Sequence, residues 1–381
     1  MLQQGQNVAD ILYYYGEDDV ITSLFAHHHP AIPFGYNFDY LNKDALVSLV
    51  SYDGRQFVTP SGSSYRVLII DSHCQHMAPA VVEKLDALRQ QGAPIVDLRQ
   101  QTIADALRLL SPDVSASDTS ELHYVHRHTT DADIYWISNN RHEARSIDVT
   151  FRISGLQPTL WHPETGQVEP LSYTMHDGLT TVSLDLTPDD AVFVVFQGKA
   201  EEQQLSLPVP QSSLLLSIDT PWMVEFLEPQ GDNMGPGKPV VFPQLQSYSE
   251  SENPSVKYYS GTAVYRNTFQ LPTTRKGKAA RYILNLGQVG NLAEVIVNGQ
   301  PLGTLWKEPY RIDISQALKA GKNELEVHVV NTWANRIIGD MQPDCQQKYT
   351  YTPDVFYRAD SPLLPGGLLG PVEVWQVVEG K

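Results

Sequence analysis

Ala293-Glu294-Val295-Ile296-Val297-Asn298-Gly299-Gln300-Pro301-Leu302 holds the most decisive local signal in the chain. An apolar run ends in Asn-Gly, the pair that best accepts the positive φ angles of a type I′ turn, and a second apolar stretch follows. This predicts a β-hairpin. The same pattern continues on either side. Tyr282-Ile283-Leu284-Asn285-Leu286 precedes it, and Ile312-Asp313-Ile314 follows. Next come the turn Ala320-Gly321-Lys322-Asn323 and the strand Leu325-Glu326-Val327-His328-Val329-Val330. Residues 204–381 therefore predict an all-β jelly roll, with the polar stretch from Gly198 to Gln204 as its front boundary.

Further back, residues 118–199 also lack a helical period. Ile134 and Trp136, then Ile147, Val149, Phe151 and Ile153, alternate with polar residues, and turns such as His176-Asp177-Gly178 separate the runs. Short strands at this spacing argue for a β-sandwich. Residues 1–117 differ. Asp10-Ile11-Leu12-Tyr13-Tyr14-Tyr15, Arg66-Val67-Leu68-Ile69-Ile70-Asp71 and Pro94-Ile95-Val96-Asp97-Leu98 read as buried strands. Between the last two, Met77, Val81, Leu85 and Leu88 share one helical face, with Pro79 suited to the first turn and Gly92 to the stop. Strand–helix–strand order implies a parallel sheet in a small α/β domain. The fold class is thus multidomain and mainly β.

Composition excludes several functions. The formal charge of −17 comes from 44 acidic against 27 basic residues, a surface that repels phosphate backbones, so no nucleic-acid partner is expected. Two cysteines, Cys74 and Cys345, stand far apart and supply neither a disulfide framework nor a cysteine zinc site. No apolar run approaches a membrane span, and the start Met1-Leu2-Gln3-Gln4-Gly5-Gln6 has no charged-then-apolar leader pattern. Nucleophile-elbow, Walker and Rossmann motifs do not occur.

Specific resemblance begins in the C-terminal third. Tyr265-Arg266-Asn267-Thr268-Phe269, Leu286-Gly287-Gln288-Val289-Gly290, the hairpin itself and the run from Gly303 to Ile314 resemble the sugar-binding, galactose-binding-like jelly roll of family 2 glycoside hydrolases. The run from Asn331 to Asp340 and Gly366-Gly367-Leu368-Leu369-Gly370-Pro371-Val372 resemble the variant that ends family 106 α-L-rhamnosidases. The run from Ile11 to Glu17, Gly35-Tyr36-Asn37-Phe38-Asp39-Tyr40-Leu41-Asn42 and the run from Tyr65 to Ile70 are similar to the flavodoxin-like α/β segment after the barrel in those enzymes. The resemblance implies a carbohydrate partner, such as rhamnose-containing plant oligosaccharides, and a family often periplasmic or extracellular in bacteria. Family members are far longer, with their acid and base expected on a (β/α)8 barrel for which this chain has no room. The expectation is an accessory segment without catalytic residues. Its rivals are a free-standing carbohydrate-binding protein and a structural partner that completes a split hydrolase with a separate barrel.

Trp306, Tyr310, Asn331, Trp333, Asn335 and Arg336 sit in loops after predicted strands, where sandwiches carry binding function, although aromatics also plug sandwich ends. Tyr36 and Asp39, with Phe38, Tyr40 and Asn42, join aromatic platforms to polar edges, as sugar subsites do, or else form aromatic core. Glu17, Asp18 and Asp19 follow the first strand, where open α/β sheets place ligands, or form a solvated loop. His27-His28-His29 cannot converge on one metal from an extended strand, because neighbours point to opposite faces. No cofactor is expected; Asp340 and Glu294 are the side chains a structural calcium would draw on.

Overall fold

A central strand, Ile11–Tyr14, organises the front of the chain, and all four of its side chains are buried. It pairs in parallel with Phe38–Leu41 on one side and Val67–Ile70 on the other, and Ile95–Asp97 lies beyond the latter. The computed structural model describes residues 1–18, 20–26, 30–227, 234–271, 280–378 and 380. Leu12, Tyr14, Leu68 and Ile70 pack with Leu46, Val81, Leu85 and Leu88 from helices Lys43–Ser48 and Pro79–Gln90. Ile11, Tyr13, Val67 and Ile69 face Ala106 and Leu110 on the other side. Each fully buried aliphatic side chain contributes roughly 1.5–3 kcal/mol, so two covered faces suffice to hold so small a sheet. The expected parallel α/β sheet is present. Pro79 lies in the first turn of its helix, and Gly92, at φ +80°, follows its end.

The chain divides into two units, Met1–Leu207 and Pro208–Lys381. The first unit continues into a sandwich of a six-stranded and a five-stranded antiparallel sheet. Tyr135, Phe151, Val194 and Phe196 form its centre. Two strand assignments were not legible locally. Gln6–Asn7, at the front of the chain, pairs with Leu122–His128, and Val114–Ala116 pairs with Arg145–Phe151. Strands this short carry no periodicity, and long-range pairing decides them.

The second unit is a sandwich of six and four strands. Its larger sheet runs Val240–Phe242, Trp222–Phe226, Thr262–Gln270, Lys322–Val330, Leu292–Val297, Gln300–Leu305. Trp222, Tyr248, Tyr259 and Tyr265 fill the core. The hairpin turn is as predicted: Asn298 has φ 53° and Gly299 φ 79°, and Val297 pairs with Gln300. The Asn298 side chain also works there, donating to Ala317 O at 2.7 Å and accepting from Glu324 N at 3.0 Å. Among the described residues no helix is long and apolar enough to cross a membrane.

Candidate functional site

Register places two of the sequence-selected loops at one end of the larger C-terminal sheet. Ala293 pairs with Leu305 on one neighbour and Val329 on the other, so these three residues share a row. Trp306 directly follows Leu305, and the run Asn331 to Trp333 follows the strand that ends at Val330. Strands two apart in a sheet are separated by about 10 Å, which sets the spacing at which the two loops leave. Asn291, at the start of the strand between them, ties the loops together. Its carbonyl accepts from Tyr310 Oη at 2.7 Å, and its Oδ1 accepts from Thr332 N at 3.2 Å.

The polar members of this constellation are turned inward. Asn331 accepts from Gly261 N and donates to Tyr259 O, both at 2.9 Å. Asn335 donates to Leu364 O and accepts from Leu364 N, both at 2.8 Å, copying a backbone pair. Arg336 pairs with Asp340 at 2.9 Å, one helical turn on, and its guanidinium lies 5.2 Å from the centre of the Tyr349 ring and 6.0 Å from that of Tyr258. Asp340 Oδ2 accepts from Tyr349 N, Thr350 N and Thr350 Oγ1 at 2.7–2.8 Å. Helix Ala334–Asp340 thereby fastens the segment that follows it. Trp306 and Trp333 point outward, 59% and 53% exposed, whereas Tyr310 is 6% exposed. Tyr351 and Phe356, in the fastened segment, are also exposed.

Of the proposed sugar contacts in this unit, only the two tryptophans therefore offer free faces. Tyr310, Asn331, Asn335 and Arg336 are spent on contacts that frame these loops. Asp340 and Glu294 do not make a calcium site: Asp340 is buried under its three donors, and Glu294 faces His328 at 3.5 Å. Among the described residues no group of three His, Cys, Asp or Glu side chains is placed to hold a metal.

In the first unit the pleat separates the candidates. Phe38 and Tyr40 pack against Tyr13, with ring centres 6.0 and 6.2 Å away, and Tyr36 reaches Leu110 O at 3.5 Å. Asp39 points to the other face and accepts from Tyr65 Oη at 2.9 Å and Asn7 Nδ2 at 3.2 Å. Asn42 caps helix Lys43–Ser48 through Ala45 N. They make no common subsite. Glu17 and Asp18 are likewise engaged. Glu17 accepts from Ala78 N at 2.8 Å and pairs with Lys43 at 2.9 Å; Asp18 accepts from Gln75 N, His76 N and the His76 ring at 2.6–3.0 Å. The Ala78 amide, then Lys43, hold the Glu17 carboxyl below its usual range, and the His76 amide and ring do the same for Asp18. Asp19 and His27 to His29 lie outside the described residues.

Known proteins resemble this chain over most of its length. Residues 1–101 and 95–175 match the alpha-L-rhamnosidase family of glycoside hydrolases, and residues 246–358 match the glycosyl hydrolase 2 galactose-binding domain-like family. The solved rhamnosidase of Novosphingobium sp. PP1Y superposes with a TM-score of 0.88 at 35% identity, over 98% of this chain and 39% of its own. The chain is rhamnosidase-related. A curated protein of Formosa agariphila, provisionally named a beta-glucuronidase, is 23% identical over 100% of this chain and 56% of its own length. The rhamnosidase-related chain thus spans about two-fifths of the first of these relatives and just over half of the second.

Sequence reading of this rhamnosidase-related chain missed two positions. Asp71, at the carboxyl end of strand Val67–Ile70, accepts from Tyr13 Oη at 2.6 Å, His73 N at 2.8 Å and the His73 ring at 2.9 Å. Burial alone would raise its carboxyl; the His73 amide, Tyr13 and the His73 ring outweigh that and leave it lowered. The signal available was a lone Asp after a wholly apolar strand. Asn291 offered no signal, because its role depends on loops that are distant in sequence. Burial, and then the charge of nearby Asp71, push the Cys74 thiol up to about 12 and make it a poor nucleophile.

Proposed function

We propose that this chain is the accessory, carbohydrate-contacting portion of a rhamnosidase-type glycoside hydrolase. In this reading it is inactive by itself, and the catalytic carboxylates reside on a barrel in the remainder of a longer enzyme or on a separate partner. The observation that carries the proposal is the pair of exposed tryptophans, Trp306 and Trp333, at one end of one sheet above a frame of fully used amides. Sugar rings present apolar C–H faces that stack on aromatic rings, and a platform already fixed by its loops loses little freedom on binding.

Glycosidic hydrolysis needs two working carboxyls about 5 Å apart for retention, or roughly 6.5–9.5 Å apart for inversion. Glu17 and Asp18, the acidic pair at the ligand-facing end of the α/β sheet, each accept several donors and are held ionised. Neither is set to deliver a proton. Calorimetric titration with rhamnose-containing oligosaccharides should give a binding heat that Trp306→Ala/Trp333→Ala abolishes. Cleavage of an aryl α-L-rhamnoside by the purified chain would overturn the proposal, as would undiminished binding by the double variant.

A further inference from the structure

The two layers of the first unit meet on a buried charged cluster that takes no part in the proposed function. Asp113 stitches the seam: its N–H donates to Gly35 O at 2.8 Å, and its carbonyl accepts from Arg152 N at 2.9 Å. Gly35 has φ +98°, and a Cβ there would lie 2.4 Å from Val114 O, so only glycine lets the chain pass this close. The Arg152 guanidinium meets Asp10 at 2.9 and 3.0 Å and Asp113 at 3.5 Å, while Arg66 reaches Asp10 at 3.6 Å. Asp10 leads into the central parallel strand, whereas Arg152 leaves the sandwich strand Arg145–Phe151.

His126, 5% exposed, completes the cluster. Its Nδ1 lies 2.8 Å from Asp113 Oδ2 and its Nε2 2.9 Å from Asp133 Oδ1. The ring stacks on Tyr135 at 3.9 Å between centres, and the Tyr135 hydroxyl donates to Asp113 Oδ1 at 3.3 Å. His128, half exposed, also meets Asp133 Oδ1 at 2.9 Å, and Tyr124 lies in the field of Asp113 and Asp10. A neutral imidazole has one N–H and one lone pair. Set between two carboxylates, it would aim that lone pair at an anion; an imidazolium donates to both. The charges agree in direction, because three carboxylates, Asp10, Asp113 and Asp133, face two arginines, Arg66 and Arg152, with only half-exposed His128 beside Asp133. An unpaired buried charge is expensive, so the ring completes the balance.

We propose that His126, charged at neutral pH, is a bolt joining the α/β layer of the first unit to its sandwich, and that alkaline deprotonation of the ring releases the seam. Burial pulls the ring's pKa down, but the hydrogen bonds to Asp113 and Asp133 outweigh it and hold the value above normal. A raised histidine stabilises fully below its unfolded value of about 6.5, and that contribution is lost as pH rises through the folded value. For Asp133, burial raises the carboxyl, but His126 and His128 outweigh it and leave it lowered. Its contribution is present above about 3.9 and lost as pH falls through the folded value. The seam is therefore tightest between these limits, and His126 controls the upper one.

Ring nitrogen–proton correlation spectra of the full chain, recorded from about pH 6 to 9, test this. His126 should keep both N–H groups to at least about one pH unit above the ordinary imidazole value of about 6.5. Protection of the Asp113 and Arg152 amides, corrected for intrinsic exchange, should fall at the His126 midpoint. Asp133→Asn should move both midpoints down together by about one unit, a tenfold loss of proton affinity. A neutral His126 at pH 7, amide protection that ignores the ring's midpoint, or an unmoved midpoint in a folded Asp133→Asn chain would each overturn the proposal. If that variant does not fold, the wild-type titration decides alone.

Discussion

In the C-terminal unit the side-chain amides of Asn331 and Asn335 grip backbone, and the indoles of Trp306 and Trp333 stand in solvent. In the first unit the arrangement is inverted. Tyr13, Phe38 and Tyr40 pack on one another, while the ionic groups close its loops and its seam. A ligand can use only what the fold leaves unsatisfied. By that measure the C-terminal loop end keeps two exposed indoles for the proposed contact, whereas the Glu17 and Asp18 carboxylates of the first unit are spent on internal ties. Residue type alone left both open, the tryptophans as binding platforms or sandwich plugs and the carboxylates as ligand-facing or solvated.

The contrast can be broken most severely by removing a frame residue. Asn335→Ala strips partners from both backbone groups of Leu364 and should cost the C-terminal unit about 2–4 kcal/mol in urea unfolding. A change below about 1 kcal/mol would show that the frame does not depend on it. Next in size, Arg152→Met leaves Asp10 and Asp113 facing each other and should destabilise the first unit by about 3 kcal/mol, read from its own unfolding transition. The double tryptophan variant sharpens the comparison, because it should leave stability within about 0.5 kcal/mol while removing sugar binding. A large stability loss there would return the indoles to the core. The smallest effect is expected for Glu17→Gln. The Glu17 carboxyl is held low, so its tie is present above about pH 4.3 and lost as pH falls through the folded value. The melting curves of variant and parent should converge in acid, and a constant gap would mean that charge plays no part.

Alternation, turn chemistry and helix punctuation are local properties, and they sufficed for the strands Ile11–Tyr14, Val67–Ile70 and Ile95–Asp97, the helix that starts at Pro79 and the Asn298-Gly299 hairpin, but not for the parallel strand Phe38–Leu41. The resemblance to rhamnosidases was equally legible, because it resides in runs of consecutive residues. Side-chain direction was legible only in part. The period-two pleat already separates Asp39 from Phe38 and Tyr40, so their joint subsite was improbable on elementary grounds.

The sequence by itself determined the longer strands of regular pattern, the Asn298-Gly299 turn and the family the chain resembles, because each of those rests on neighbours in the chain. Only the tertiary structure decided which polar groups are spent. Whether Asn331 and Arg336 face a ligand or the backbone, and whether Glu17 and Asp18 are available, depends on partners such as Gly261, Tyr349, Ala78 and His76, brought near by folding. The same holds for His126, whose charge follows from Asp113 and Asp133 meeting its two nitrogens. Hydrogen-bond satisfaction is a sum over the whole fold, and no window of sequence contains it.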